Sequence, residues 1–235
     1  MRFALCLIFI LLLMSALIVW PEADIFISSL FYEPGTGFFW KNAPLLKALE
    51  STAYYGSRAL AAALALVTII ALLKKREIAK LDARAWSFLL LALLIGPGLV
   101  ANVIFKDHWG RARPREIAEF SGNSKFTPAF TISDQCHTNC SFISGDGSFG
   151  FFLTGFAYTA APKRRKKIFW SCLLAGCAFG ASRIAMGAHF ISDVIGAAFF
   201  ILTTTAALHA LIYTRQETKK CWANFLSPPN LPTPS

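Results

Sequence analysis

Charge is scarce in this chain. Only 15% of its 235 residues are Asp, Glu, Lys or Arg, against about 25% in soluble globular domains. With 55% hydrophobic residues and a mean hydropathy of +0.52, that scarcity excludes an ordinary water-soluble fold. Acidic residues are scarcer still, 13 against 23 basic ones, which leaves a net charge of +10. An internal repeat and a separate soluble domain are also missing, as is an A-x-A-like cleavage site behind the first apolar run. There are four histidines. His137 adjoins a pair of thiols in "DQCHTNCSF", but two sulfurs and one neighbouring imidazole make an incomplete and geometrically awkward zinc site.

What the chain does have is long apolar blocks, at about 3–20, 58–73, 86–105, 147–161, 168–182 and 190–213. A helix needs about 20 residues to cross a hydrocarbon core roughly 30 Å thick. The fourth and fifth blocks are short by that measure and are read as spans from their apolar density. The expectation is an all-α polytopic membrane protein with about six transmembrane helices. Its organisation reads as an amino-terminal anchor and first outer loop over 1–57, a membrane domain over 58–214, and a cytoplasmic tail over 215–235. The tail ends in "SPPNLPTPS", whose composition predicts disorder. The first block, "LCLIFILLLMSALIVW", follows Met1 and Arg2 and runs into Pro21, so it reads as a retained anchor.

Orientation follows from the bias of Lys and Arg toward the cytoplasm. With the amino terminus, residues 74–84, "PKRRKK" (162–167) and the tail on one side, that side collects 14 of the 23 basic residues. Both termini are therefore expected in the cytoplasm. The basic cytoplasmic loops would also attract anionic lipid headgroups. Nucleic acid is a poor partner, because the charges are dispersed among membrane spans. A cluster of cations between 106 and 125 violates the bias and calls for another explanation.

Three polar stretches supply one. "FKDHWGRARP" (105–114) follows the third block and brings Lys106, Arg111 and Arg113 together. Guanidinium and ammonium groups suit phosphate oxygens, although cations at a helix end also serve as plain lipid contacts. Ser144, Gly145 and Asp146 precede the fourth block. Free backbone N–H groups at such a helix start favour an anion, while Ser and Asp are equally good helix caps. "SRIAMGAHFISD" (182–193) joins the fifth and sixth blocks and contributes Arg183, His189 and Asp193. The last two are four residues apart, so a carboxylate can orient an imidazole on one helix face. Charged groups beside a membrane span are costly unless they pair or serve a site. By parity all three stretches emerge on the same membrane face. The arrangement suggests nucleophilic attack on phosphorus by His189, with Asp193 holding its ring and the cations stabilising the charged transition state. No metal or other cofactor is required in that scheme.

The order K-x6-R-P (Lys106 to Pro114), S-G (Ser144, Gly145) and S-R-x5-H-x3-D (Ser182 to Asp193) resembles the three-part signature of the type 2 phosphatidic acid phosphatase superfamily. The resemblance covers about residues 86–213 and implies a core bundle similar to that of the vanadium haloperoxidases. It also implies a metal-independent phosphatase with a phosphohistidine intermediate. In this reading His189 is the nucleophile and Asp193 its partner. Lys106, Arg113 and Arg183 bind phosphate, supported by Ser144 and the Gly145 backbone N–H. The family pattern in the second motif is P-S-G-H, whose histidine protonates the leaving oxygen. Here the run is Ile143, Ser144, Gly145, Asp146. A carboxyl with a reference pKa near 3.9 donates a proton at neutral pH only if its environment raises that value. Three explanations stand open: Asp146 is a tuned acid, the leaving group needs little protonation, or His108 or His137 donates.

A site at the outer face, entered between apolar helices, suits a phosphate on a membrane lipid. "WGRARP" and "CSFISGD" resemble the lipid A phosphatase branch. Undecaprenyl diphosphate phosphatases, phosphatidylglycerophosphate phosphatases, a lipid phosphotransferase and a degenerate lipid-phosphate binder remain alternatives. The implied location is the bacterial inner membrane with a periplasmic site, and the oligomeric state is not legible. In that compartment Cys136 and Cys140 are candidates for a disulfide, with free thiols and a metal as the other readings.

Overall fold

A computed structural model describes residues 2–214 together with Glu217, Thr218 and Cys221. The rest of the expected 215–235 tail lies outside the described residues. The chain opens with α1 (Arg2–Val19) and the short α2 (Glu22–Ser29). A two-residue antiparallel hairpin follows, β1 (Tyr32–Glu33) and β2 (Gly37–Phe38). Next come α3 (Pro44–Lys74) and α4 (Ala83–Leu93), the latter continuing into a π-helical stretch (Leu94–Phe105) and one last turn, α5 (Lys106–His108). A long loop with two single 3-10 turns leads to α6 (Gly145–Phe152) and α7 (Gly155–Thr159). The chain then forms α8 (Pro162–Ala185) and α9 (Ile191–Ile212).

Four helices are long and apolar enough to cross a membrane: α3, the α4 to α5 run, α8 and α9. Cys6–Val19 and Glu22–Ser29 meet at 96° and make a fifth at most among the described residues. The described residues thus supply four or five of the about six spans expected. The difference lies in the fourth apolar block, 147–161. Gly145 to Thr159 is broken in two, and even unbroken would reach only about 22 Å at ~1.5 Å per residue. Its apolarity has another cause. Gly147 to Phe152 are all buried, because α6 packs against α8, α9 and the π-helical stretch and has no lipid-facing side to spare. A helix that is apolar all round is a core helix as readily as a span.

Small residues allow that packing. A Cβ at Gly176 would run into the Phe151 ring of α6, and one at Gly180 into Val194 of α9. Apolar side chains on the outer helices stay exposed instead, among them Phe9 and Leu12 on α1 and Leu66, Ile69 and Leu73 on α3. This is the pattern expected where the surrounding medium is lipid rather than water.

The second expected span is also much longer than its apolar block. α3 begins at Pro44 rather than near 58 and runs without interruption through position 57. Its first turns carry Lys47, Glu50, Tyr54, Ser57 and Arg58, polar enough to have been assigned to the first outer loop. Proline at the start suits the first helical turn, where its missing N–H has no partner to lose. Near the same end of the bundle the π-helical stretch contains Pro97, which cannot donate to the helical ladder. Its carbonyl accepts from Asn102 Nδ2 at 2.7 Å. The result is that one end of the molecule gathers the first turns of α3, the end of α5, the start of α6, the end of α8 and the start of α9.

Candidate active site

A cavity of about 660 Å³ lies at that end. Lys106, Arg113, Gly145, Asp146, Arg183 and His189 all line it, so the three polar stretches do converge. The wall formed by α3, the π-helical stretch and α6 mixes apolar Ala53, Tyr54, Pro97 and Phe149 with polar Glu50, Ser57 and Arg58. The opposite wall, with Arg115 and Asn139, belongs to the long loop.

Ser144 is close by but does not line the cavity. It is the N-cap of α6, and its hydroxyl accepts from the Gly147 N–H at 3.3 Å. Its own N–H donates to the Asp193 carbonyl at 3.1 Å, tying the second motif to the third. Gly145, the first residue of the helix, does face the cavity. A Cβ there would lie 2.9 Å from Lys106 Nζ, so only glycine lets the ammonium settle against the helix start.

Each cation has a defined hold. Lys106 Nζ donates to Asn139 Oδ1 at 3.0 Å, and Arg113 Nη2 donates to the Asn139 carbonyl at 2.6 Å. Arg183 stands between two carboxylates. Glu50 of α3 approaches its Nη1 to 2.6 Å, and Asp146 its Nε to 3.2 Å. The Asp146 contact is one of charge without hydrogen-bond alignment, since neither atom has a hydrogen-bond partner. Burial pushes the Asp146 carboxyl above its ordinary value, while Arg183 and Lys106 pull it back.

The third motif is built by a tight turn after α8. Gly187 adopts φ +65°, a left-handed conformation that residues with a Cβ rarely take, and the Phe38 ring occupies the place of a side chain. The His189 N–H donates to the Arg183 carbonyl at 3.3 Å, so imidazole and guanidinium belong to one local unit. His189 Nδ1 is 3.4 Å from Asp193 Oδ2, close but not aligned as a hydrogen bond. That leaves Nε2 as the nitrogen available to the cavity. Burial pushes the imidazole down to about 3, against the pull of Asp193, so the ring is neutral and carries a free lone pair at neutral pH.

Asp193 is held firmly. Its Oδ2 accepts from Ser141 Oγ and from the Phe190 N–H at 2.8 Å, and its Oδ1 from Arg111 Nη1 at 2.6 Å. Arg111, grouped with Lys106 and Arg113 on sequence, is fully buried and turned away from the cavity. His108 and His137 do not line the cavity either. His108 Nδ1 contacts the Val103 carbonyl at 2.9 Å. Cys136 and Cys140 are joined, with Cα atoms 5.7 Å apart. Among the described residues no group of three or more His, Cys, Asp or Glu stands together as a metal site.

Glu50, Asn139, Arg115 and Ser141 escaped the sequence reading. Asn139 had a signal, since it lies between the two cysteines and one turn of chain from Ser144. Glu50 had a weaker one. On α3 the cavity-lining residues Glu50, Ala53, Tyr54, Ser57 and Arg58 recur at helical spacing along one face.

Residues 85–218 match the PAP2 superfamily. That is more than half of the chain and includes every motif residue from Lys106 to Asp193, and the chain belongs to this family. It is 43% identical over 135 residues to a lipid A 4'-phosphatase of Francisella tularensis subsp. novicida (strain U112), covering 57% of this chain and 61% of that protein. It is 35% identical over 127 residues to a lipid A 4'-phosphatase of Rhizobium leguminosarum, covering 54% of each. To one of Rhizobium etli it is 36% identical over 128 residues, covering 54% of this chain and 50% of that one. The chain thus spans little more than half the length of the curated relatives it matches. No solved structure matches it.

Proposed function

We propose that this multi-pass membrane protein is a phosphatase that removes a phosphate from a lipid headgroup, with lipid A as substrate. The observation that carries the reading is the meeting, in one cavity, of a neutral histidine, three cations and a raised carboxyl. His189 Nε2 attacks phosphorus and forms an N–P bond as the P–O bond to the lipid breaks. Asp193 supports the charge that develops on the ring. Lys106, Arg113, Arg183 and the Gly145 N–H hold the phosphoryl oxygens, and Ser144 acts from beneath by capping the helix that presents that N–H. Asp146 gives its proton to the departing lipid oxygen. A water then attacks the phosphohistidine, returning a proton to Asp146 and releasing inorganic phosphate. A phosphate dianion arriving between Asp146 and Glu50 favours the protonated acid further, since like charges disfavour ionisation.

The lipid reading is supported by the apolar side chains Ala53, Tyr54, Pro97 and Phe149 in the cavity lining and by the names of the three relatives. The charge bias of the loops supports both termini in the cytoplasm and a site at the periplasmic face of the inner membrane. A lone pair of cysteines joined in a loop of that face fits an oxidising compartment. A second substrate, undecaprenyl diphosphate, is favoured by one observation: a carboxyl, ordinarily ionised at neutral pH, stands where the family pattern has a histidine, and a departing phosphate needs less protonation.

The test is phosphate release from detergent micelles containing lipid A, undecaprenyl diphosphate or phosphatidylglycerophosphate, by wild type and His189→Ala. Release from lipid A that is lost in the variant is expected. No release from any of them, or the same release from both proteins, would sink the proposal. Mass spectrometry of lipids from cells with and without the protein then identifies the substrate.

A further inference from the structure

Beneath the cavity lies a chain of charges that solvent does not reach. Arg111 is 0% exposed, and so are Asp24 and Asp193. Arg111 Nη1 donates to Asp193 Oδ1 at 2.6 Å, and its Nη2 to Asp24 Oδ2 at 2.8 Å. Its Nε is taken by the Thr127 carbonyl at 2.8 Å. Asp24 also accepts from Ser192, from the N–H at 3.0 Å and from the hydroxyl at 2.6 Å. Ser192 lies in the first turn of α9, directly before Asp193, so a carboxylate from α2 caps the helix that carries the partner of His189.

Paired ions of opposite sign tolerate burial, and an unpaired one does not. Arg111 alone would cancel the charge of Asp193 and leave His189 with a neutral neighbour. With Asp24 present the three groups together carry one negative charge, and the side of the group that faces away from Asp24 faces His189. We infer that Asp24 is a positioning residue for the phosphoryl-accepting histidine: it absorbs the charge of Arg111, so that Asp193 stays available to the imidazole. The inference rests on the phosphatase reading above. It assigns a role to a residue outside the 85–218 stretch that matches the family, and it makes α2 part of the reaction machinery rather than a membrane anchor's trailing end.

The test is a charge cycle. Asp24→Asn keeps the shape and removes one charge, bringing the group to zero. It is expected to lower kcat roughly 10- to 100-fold, the range for loss of an outer partner of an active-site group, with KM within about twofold by the same reasoning. Single-turnover formation of the phosphoenzyme slows in proportion. Asp24→Glu, which keeps the charge, restores part of kcat. The double variant Asp24→Asn/Arg111→Gln returns the group to one negative charge and is expected to be more active than Asp24→Asn. A residue that merely holds the fold predicts the reverse order, since the double change removes more bonds. A double variant no more active than the single one, whether inactive or unfolded, overturns the inference, as does an Asp24→Asn protein with wild-type kcat. Wild type that releases no phosphate from any lipid is a different outcome: it removes the phosphatase reading, and the inference falls with it.

Discussion

Opening the Cys136–Cys140 bridge should weaken substrate binding without unfolding the protein. The loop between the cysteines presents Asn139, whose side chain and carbonyl hold Lys106 and Arg113. The bridge closes a loop of five residues, counting both cysteines. Chain-entropy arithmetic gives such a loop about 2 kcal/mol, which is the ceiling on what reordering Asn139 would cost and equals about 30-fold in an equilibrium. A floor comes from the lysine bond. A hydrogen bond to a charged group contributes about 1.5–3 kcal/mol when buried, but Asn139 is exposed, and screening reduces this to about 1 kcal/mol, or about fivefold. The Cys136→Ser/Cys140→Ser variant and the reduced wild type should therefore both show a 5- to 30-fold lower kcat/KM, carried mainly by KM. Phosphate release in micelles with and without reductant measures this, with thiol labelling to confirm which state is assayed. Two labelled cysteines in a reduced, fully active protein, or equal kcat/KM in both states, would refute the argument that the loop orders the cations.

Asp146 should set the alkaline limb of the rate profile. Its carboxyl is raised by burial, so the protonated donor persists to higher pH than an ordinary carboxyl, and kcat falls as pH rises through that value. In Asp146→Ala the limb should disappear together with roughly 10²- to 10⁴-fold of kcat, the usual contribution of general acid catalysis; unchanged activity would exclude it as the donor. On the acid side His189, pushed down to about 3, should stay unprotonated and impose no loss between pH 5 and 7, about two units or more above that value. Gly145→Ala should raise KM with little change in thermal midpoint, because its Cβ meets the mobile end of Lys106 at 2.9 Å. Gly187→Ala should do the opposite, lowering stability by about 1–3 kcal/mol, because both the +65° φ and the Phe38 ring resist a Cβ. A thermal scan in detergent distinguishes the two.

Short motifs whose meaning is local were legible in the sequence. Arg183 and His189 sit on one turn closed by their own backbone bonds, and Lys106 and Gly145 meet because α5 ends and α6 begins at the same end of the bundle. Two kinds of feature were not legible. One is a helix whose apolarity reflects neighbours rather than lipid: α6 reads like a span because α8 and α9 cover it, and only the packing tells them apart. The other is a residue whose partner is distant in the chain. Asp24 meets Arg111 and Ser192 across 87 and 168 positions, and nothing in "PEADIF" announces either. Glu50 was hidden differently. It lies in the polar opening turns of a helix whose apolar part alone was visible, so the helix was cut where hydropathy falls rather than where the backbone ends.

The two unlike walls of the cavity bear on what happens after the bond breaks. Tyr54, Pro97 and Phe149 stand on the side of the membrane helices, while Arg115 and Asn139 stand in the loop. The dephosphorylated lipid would slip sideways into the bilayer it never left, and the inorganic phosphate would depart upward into water. Neither product blocks the other's way out, and the lipid, freed when the N–P bond forms, can leave before water releases the phosphate. Accumulated phosphate would slow turnover by refilling the cationic pocket even after the lipid has gone.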